Sequence, residues 1–268
     1  MKPLLKWVGG KTQILPTVLA EFPREMNSYH EPFLGGGSVL LGLLCSTIEV
    51  RGTIHASDVN PALINVYTAV RDTPNELIAF LQELEGTTEP EAFYYETRVR
   101  FNTVEQKSGP QYAALFVYLN KTCFRGVYRE GPHGFNVPYG HYKAAFKVPR
   151  DEILALSPVL QRVQFHCQSF EDSLRAVAPG DFVYLDPPYV PKETTSFVGY
   201  VAGGFRKHAE LFAATNSLPC GFVMSNADVP SVRDAFPGCN IKSITCRRAI
   251  HSQDPSATAQ EVLITRSS

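Results

Sequence analysis

The chain has no apolar run approaching the ~20 residues that cross a bilayer, which excludes a transmembrane helix as a reading of this sequence. Paired cysteine spacing is missing too. Cys45, Cys123, Cys167, Cys220, Cys239 and Cys246 are scattered with no CxxC. That pattern excludes a zinc or disulfide framework and predicts reduced, mostly buried thiols and no metal. There is little net charge, −1 at pH 7, so the chain as a whole is not a polyanion binder. Met1-Lys2-Pro3-Leu4-Leu5-Lys6-Trp7 holds no apolar core of signal-peptide length, so the protein is expected to stay where it is made. No repeat or low-complexity linker is visible. What remains is an ordinary soluble globular composition, 44% hydrophobic and 19% charged. A length of 268 residues suits one large α/β domain, or one domain with a sizeable insertion.

Charge is local instead. Arg98, Arg100, Lys107, Lys121, Arg125, Arg129, Lys143, Lys147 and Arg150 are opposed in their span only by Glu105 and Glu130. Lys242, Arg247, Arg248 and His251 form a second cluster. Two basic patches on a neutral chain fit a local polyanion footprint, with solvated surface charge as the alternative.

Strand and helix patterns alternate at both ends of the chain. Strands are predicted over Tyr29 to Glu31, Gly52 to Asp58, Val163 to Cys167, Phe182 to Leu185 and Gly221 to Ser225, with a closing antiparallel pair, Lys242 to Cys246 and Glu261 to Thr265. Helices are predicted over Val39 to Leu44, Pro61 to Phe80, Pro90 to Phe101, Gln111 to Asn120 and His208 to Asn216. The alternation implies a parallel, doubly wound α/β sheet. The helical, basic middle reads as an insertion.

Asp186-Pro187-Pro188-Tyr189 follows the apolar run Asp181 to Leu185. An acid, two prolines and an aromatic therefore sit past the carboxyl end of a buried strand, the edge where open α/β sheets bind ligands. The prolines cannot continue the strand; they stiffen the turn. A carboxylate, a rigid carbonyl and an aromatic face suit gripping a planar amino group. Taken alone, the tetrapeptide fits a strand-ending turn with a surface tyrosine equally well.

Gly35-Gly36-Gly37-Ser38 lies between a strand and a helix, where glycines admit close approach of a ligand to the backbone. Asp58 follows about 20 residues later at the next strand end, the position of a ribose-holding acid. Together they indicate a nucleoside-bearing cofactor; a helix start and a separate capping aspartate is the alternative. Gly10-Lys11-Thr12 resembles the end of a P-loop, but Leu5 stands where its first glycine belongs and no strand precedes it.

These segments, taken in order, resemble the Dam-type (α-class) DNA adenine-N6 methyltransferases. The resemblance is carried by Lys6-Trp7-Val8-Gly9-Gly10-Lys11, by Glu31-Pro32-Phe33-Leu34-Gly35-Gly36-Gly37-Ser38, and by Asp58-Val59-Asn60. Further on it is carried by Asn120-Lys121, by Arg125 to Arg129, by Gly134 to Gly140, and by Asp186 to Tyr189. It implies a Rossmann-like methyltransferase sheet that uses S-adenosylmethionine (SAM). Residues 1–59 and 146–268 would form the catalytic domain, with a helical target-recognition domain inserted at 60–145. Trp7, Gly10 and Lys11 would line the SAM and target pocket. Glu31, Phe33, Gly35 and Gly37 would surround the methionine end, and Asp58 would hold the ribose. Ser169 and Phe170 match the position for the adenine of SAM, although a loop with a buried phenylalanine would read the same. Asp186, Pro187, Pro188 and Tyr189 would be catalytic, Asp186 also bordering the cofactor.

On the DNA side the resemblance places Lys6 at an outer base. It has Phe124, Arg125, Val127 and Arg129 inserting and reading, with Asn120 and Pro138 in the same contacting segment. Arg247 and Arg248 would hold phosphates. Lys121-Thr122-Cys123-Phe124-Arg125 departs from the tyrosine- and asparagine-rich stretch of the GATC members. GATC is the first expectation for the site, with CATG or another central-AT site open. The implied partner is double-stranded DNA, with no membrane and no metal, and a monomer is expected. The location would be the cytoplasm in a bacterial or phage setting, or the host-cell interior for a virus. Rival readings are cytosine-N4 or RNA adenine methylation on the same fold, and a catalytically silent DNA-binding module.

Overall fold

The structure is a computed structural model that describes residues 1–191, 205–247 and 258–267. Seven strands form its main sheet: β1 (Tyr29–Glu31), β2 (Ile54–Asp58), β3 (Val163–Cys167), β4 (Phe182–Leu185), β5 (Gly221–Ala227), β6 (Asn240–Arg247) and β7 (Thr258–Arg266). Their spatial order is β6-β7-β5-β4-β1-β2-β3. The run from β5 to β3 is parallel, and β7 lies antiparallel between β5 and β6. The expected doubly wound sheet is therefore present, with its closing antiparallel pair. Strand order reverses between β1 and β4, the point at which such sheets open a crevice at their carboxyl edge. Glu31 and Asp58 end β1 and β2, and Asp186 follows β4.

Burial explains the strands. β4 and β5 are covered on both faces and buried throughout, which is why they read as continuous apolar runs. On one face an apolar cluster draws on α1 (Leu15–Leu19), α2 (Ser38–Leu44), α3 (Pro61–Asp72), α4 (Pro74–Gln82), α5 (Pro90–Thr103), α6 (Gly109–Thr122) and α7 (Arg150–Leu160), with α4 and α5 packed on α6. The other face packs against α8 (Phe170–Arg175), α9 (His208–Asn216) and α10 (Pro230–Asp234). Tyr29, Ile54 and Tyr184 of the sheet share one apolar cluster with Leu63, Leu115 and Leu156 of the helices.

The segment expected as one helix over Pro61 to Phe80 is two. Asn60 caps α3 by accepting from Leu63 N (3.1 Å), and Pro74 starts a new helix after Thr73. Proline has no N–H to give the preceding turn, so a break there costs little at a first helical position. α3 packs on α6, α7 and β3. Among the described residues no helix is long and apolar enough to cross a membrane.

Candidate active site and nucleic-acid interface

Lys11 begins a short 3₁₀ turn at the end of the N-terminal segment and is only 5% exposed. Its backbone N–H donates to Ser38 Oγ (3.0 Å), which ties this segment to the start of α2. Its ammonium donates to the Gly9 carbonyl (2.6 Å) and lies 2.7 Å from Asp186 Oδ2. It also stands 5.1 Å from the centre of the Tyr189 ring. Burial raises the pKa of Asp186, and the adjacent Lys11 charge opposes that rise.

The segment after β4 is tied from three other elements. Tyr189 donates its hydroxyl proton to Glu261 Oε2 on β7 (2.8 Å). Val190 N donates to Asn226 Oδ1 on β5 (3.1 Å), and His208 Nε2 on α9 donates to the Pro188 carbonyl (2.9 Å). Glu261, Asn226 and His208 were not expected from sequence. Asn226 left a signal: it is a polar residue in a strand that is otherwise buried and mostly apolar, and it is fully buried itself.

The glycine turn has the conformations its residues allow. Gly35 and Gly37 have φ of +48° and +66°, which disfavour side chains. A Cβ on Gly35 would sit 2.9 Å from Trp7 Cδ1, so the absence of a side chain lets the indole cross the turn. Trp7 stacks on Tyr128 (5.8 Å between centres, 21° between planes). Asp58 braces the turn: its Oδ2 accepts from Gly35 N and its Oδ1 from Asn60 N, both at 3.0 Å. Burial raises its pKa against those backbone donors.

Glu31 is buried and accepts from the Tyr29 hydroxyl (2.6 Å). Burial foremost, with Asp186 nearby, pushes its carboxyl up to about 8. Phe33 stacks on Phe170 (5.7 Å, 25°) and meets Phe205 edge-on (6.0 Å, 84°). Phe205 is a further member that the sequence did not announce. Ser169 spends its hydroxyl as the cap of α8, accepting from Asp172 N (3.2 Å).

A cavity of about 300 Å³ lies between the N-terminal segment and the glycine turn, bordered by Leu5, Trp7, Gly10, Thr12, Gly36 and Ser38. A side-chain-free turn, an acid at the next strand end and an aromatic triplet fit a nucleoside-bearing cofactor; the cavity touches this group only at the glycine turn. Among the described residues no cluster of His, Cys, Asp and Glu is arranged to hold a metal ion.

Near this pocket lies the group expected to touch DNA. Phe124 is 47% exposed, with its N–H donating to the Pro138 carbonyl (2.8 Å). Arg125 is exposed at φ +57° with its guanidinium 5.1 Å from the Phe124 ring centre. Lys6 Nζ stands 4.2 Å from the Tyr142 ring centre and donates to the Lys121 carbonyl (3.4 Å). Val127 is half-buried at the end of the turn. Arg129 is exposed, and Asn136 holds it by accepting from Nε through Oδ1 (2.7 Å) and from Nη2 through its carbonyl (3.3 Å).

Asn120 differs from the expectation. It is 3% exposed and its amide is turned inward: Oδ1 accepts from Lys6 N (2.9 Å), and Nδ2 donates to the carbonyls of Lys6 (2.8 Å) and Gly126 (3.3 Å). It fastens the N-terminal segment to the exposed turn and offers no free amide to a ligand. Gly126 permits this contact; at φ +65°, its Cβ would fall 2.4 Å from Lys6 Cβ.

Two of the basic residues are also engaged internally. Lys121 donates to the Leu4 carbonyl (3.0 Å), and burial lowers its pKa. Lys242 pairs with Glu21 (3.0 Å). Arg247 ends β6, while Arg248 and His251 lie outside the described residues.

The chain is similar to known proteins over nearly all of its length. The profile of the D12 class N6 adenine-specific DNA methyltransferases matches residues 7–250. The chain is 34% identical to the type II methyltransferase M.MjaIII of Methanocaldococcus jannaschii, over 94% of this chain and 93% of the relative. It is 30% identical to the type II methyltransferase M1.LlaDCHI of Lactococcus lactis subsp. cremoris, over 99% and 95%. It is also 30% identical to the DNA adenine methylase of Escherichia coli strain K12, over 94% and 90%. With a methyltransferase-type sheet, an Asp-Pro-Pro-Tyr turn at its carboxyl edge and a family match across nearly its whole length, this chain belongs to the D12 class of N6 adenine-specific DNA methyltransferases.

Proposed function

We propose that the protein methylates N6 of an adenine turned out of a short duplex site, with SAM as donor. The observation that carries this reading is the meeting of Lys11, Asp186 and Tyr189 beside the glycine turn. SAM, when bound, supplies an electrophilic methyl group on its sulfonium. Trp7, Gly10, Lys11, Glu31, Phe33, Gly35, Gly37, Asp58, Ser169 and Phe170 would hold it.

The N6 lone pair of adenine is delocalised into the ring, so the amine is a poor nucleophile. The Asp186 carboxylate and the Pro187 carbonyl accept from N6–H and favour tetrahedral character at that nitrogen. Tyr189 stacks on the ring. Lys11 aims Asp186 by its ion pair and opposes the rise in pKa that burial causes. Positioning of the amine in line with the methyl contributes much of the rate. The target cannot reach this pocket while stacked in a duplex, so it flips out at a cost of a few kcal/mol.

Residues 60–145 serve as the target-recognition unit. Within it Phe124, Arg125, Val127, Arg129 and Pro138 face the duplex, with Lys6 beside them and Arg247 and Arg248 on phosphates. GATC is the first site to test, followed by CATG and other central-AT sites. The protein acts as a monomer.

The test is transfer of tritiated methyl from SAM to unmethylated genomic DNA, followed by nucleoside analysis and single-molecule sequencing. N6-methyladenine at one short motif is the expected product. Label on cytosine, on RNA only, or on nothing would overturn the proposal.

A further inference from the structure

We infer that Glu261 is a positioning residue for methyl transfer, holding the Tyr189 ring in the plane on which the target base stacks. The inference rests on the reading of Tyr189 as the stacking residue. A tyrosine at the end of a loop can turn about two side-chain bonds, and stacking needs one orientation. The bond from the Tyr189 hydroxyl to Glu261 Oε2 is 2.8 Å long, with a carboxylate as acceptor. That length is ordinary for a hydroxyl donor, and an ionised acceptor strengthens such a bond relative to one between neutral groups.

The backbone beside the ring is fixed as well, by His208 at Pro188 and by Asn226 at Val190. Residues 188–190 are thus held from α9, β5 and β7, and Glu261 supplies the constraint that acts on the ring itself. Its place follows from strand pairing, because Glu261 of β7 is in register with Ala227, the residue after Asn226 on β5. The position is costly for an acid. Glu261 is half-buried, and its charge adds to the forces that raise the pKa of Asp186. An apolar residue would suit the strand better, unless the carboxylate is kept for its hydrogen bonds, to Tyr189 and to the Cys246 thiol on β6.

The experiment uses the full chain, SAM and a duplex carrying the target site found in the methylation assay. Single-turnover methyl transfer and the KM for SAM are measured for Tyr189→Phe, Glu261→Ala, Glu261→Gln, the double variant Tyr189→Phe/Glu261→Ala, and Tyr189→Ala. Tyr189→Phe and Glu261→Ala are each expected to slow transfer about tenfold, a modest loss for misplacement of a reacting partner. The KM for SAM should stay within about twofold, because the ring does not carry cofactor binding. The double variant should be no slower than either single one, since both remove the same bond. Glu261→Gln, whose amide oxygen accepts that bond, should recover most of the rate. With 2-aminopurine at the target position, Glu261→Ala should lose the quenching that stacking on Tyr189 produces in the native chain.

Additive losses in the double variant would overturn the inference, as would Glu261→Ala at the native rate or Glu261→Gln as slow as the alanine variant. Tyr189→Ala at the native rate would instead show that the stacking reading itself is wrong. If Glu261→Ala does not fold, Tyr189→Phe and Glu261→Gln decide the matter, because slow transfer in the first and near-native transfer in the second is the pattern only the hydrogen bond explains.

Discussion

Lys11 Nζ stands 2.7 Å from Asp186 Oδ2, so the N-terminal segment closes onto the acid that follows β4. This contact joins the two motifs that flank the proposed target pocket. Replacing Asp186 with alanine should reduce methyl transfer by about 10²–10⁴-fold, the range associated with a positioned acid–base group. SAM affinity should remain within a few-fold of native. Transfer of tritiated methyl and calorimetric SAM titration check the two halves, and near-native turnover would rule out Asp186 as the group that grips the amine.

Glu31 predicts a pH dependence of stability. Its pKa moves from the ordinary 4.5 up to about 8 in the folded chain, chiefly because it is buried. Between those values the unfolded chain releases this proton and the folded chain keeps it, so rising pH favours unfolding. The stability due to the protonated carboxyl is complete below pH 4.5 and is lost as pH rises through about 8. Glu31→Gln removes this dependence. Its melting temperature relative to the native chain should therefore climb across that window, and a constant difference would contradict the assignment.

Asn120 joins Lys6 to Gly126 through one amide. Asn120→Ala leaves a buried N–H and two carbonyls without that partner and should cost about 2–3 kcal/mol in urea unfolding. Asn120→Asp keeps the acceptor for Lys6 N but sets a buried carboxylate against two carbonyl oxygens, so it should cost at least as much as alanine. Discrimination between cognate and near-cognate duplexes should weaken in the same order, because the exposed turn loses its anchor.

Arg129 is presented with its guanidinium partly held by Asn136. A preset fork of this kind suits bidentate reading of guanine, so Arg129→Ala should relax preference at one base pair by about 1–3 kcal/mol. Lys242→Ala should weaken all duplexes alike, and only slightly, because Glu21 already neutralises that charge. A panel of single-base-pair variants measured at fixed salt distinguishes the two patterns.

The strands Val163–Cys167 and Phe182–Leu185 and the helix His208–Asn216 were legible with their limits, because apolar runs and turn residues bound them. The break between α3 and α4 was not, since helical periodicity runs on across Thr73 and Pro74. α7 and α8 also went unread: α7 carries Pro158 in its interior, and α8 is six residues long. Motif residues were legible because they are contiguous. Glu261, Asn226, His208 and Phe205 were not, because strand pairing and helix packing bring them to the site from distant parts of the chain. Asn120 was expected at the DNA and is turned inward, and no spacing rule tells an inward amide from an outward one.

The N-terminal segment has a consequence for how such proteins can be recombined. Lys6 is gripped by Asn120 at one end, and Lys11 is paired with Asp186 at the other. Positions 6 and 11 are separated by about 18 Å of chain at most. A chimera that replaced residues 60–145 without residues 4–11 would part the Asn120 amide from the backbone it fits. The proposed recognition segment is therefore not a detachable cassette: the unit of exchange is the helical segment together with the first eleven residues.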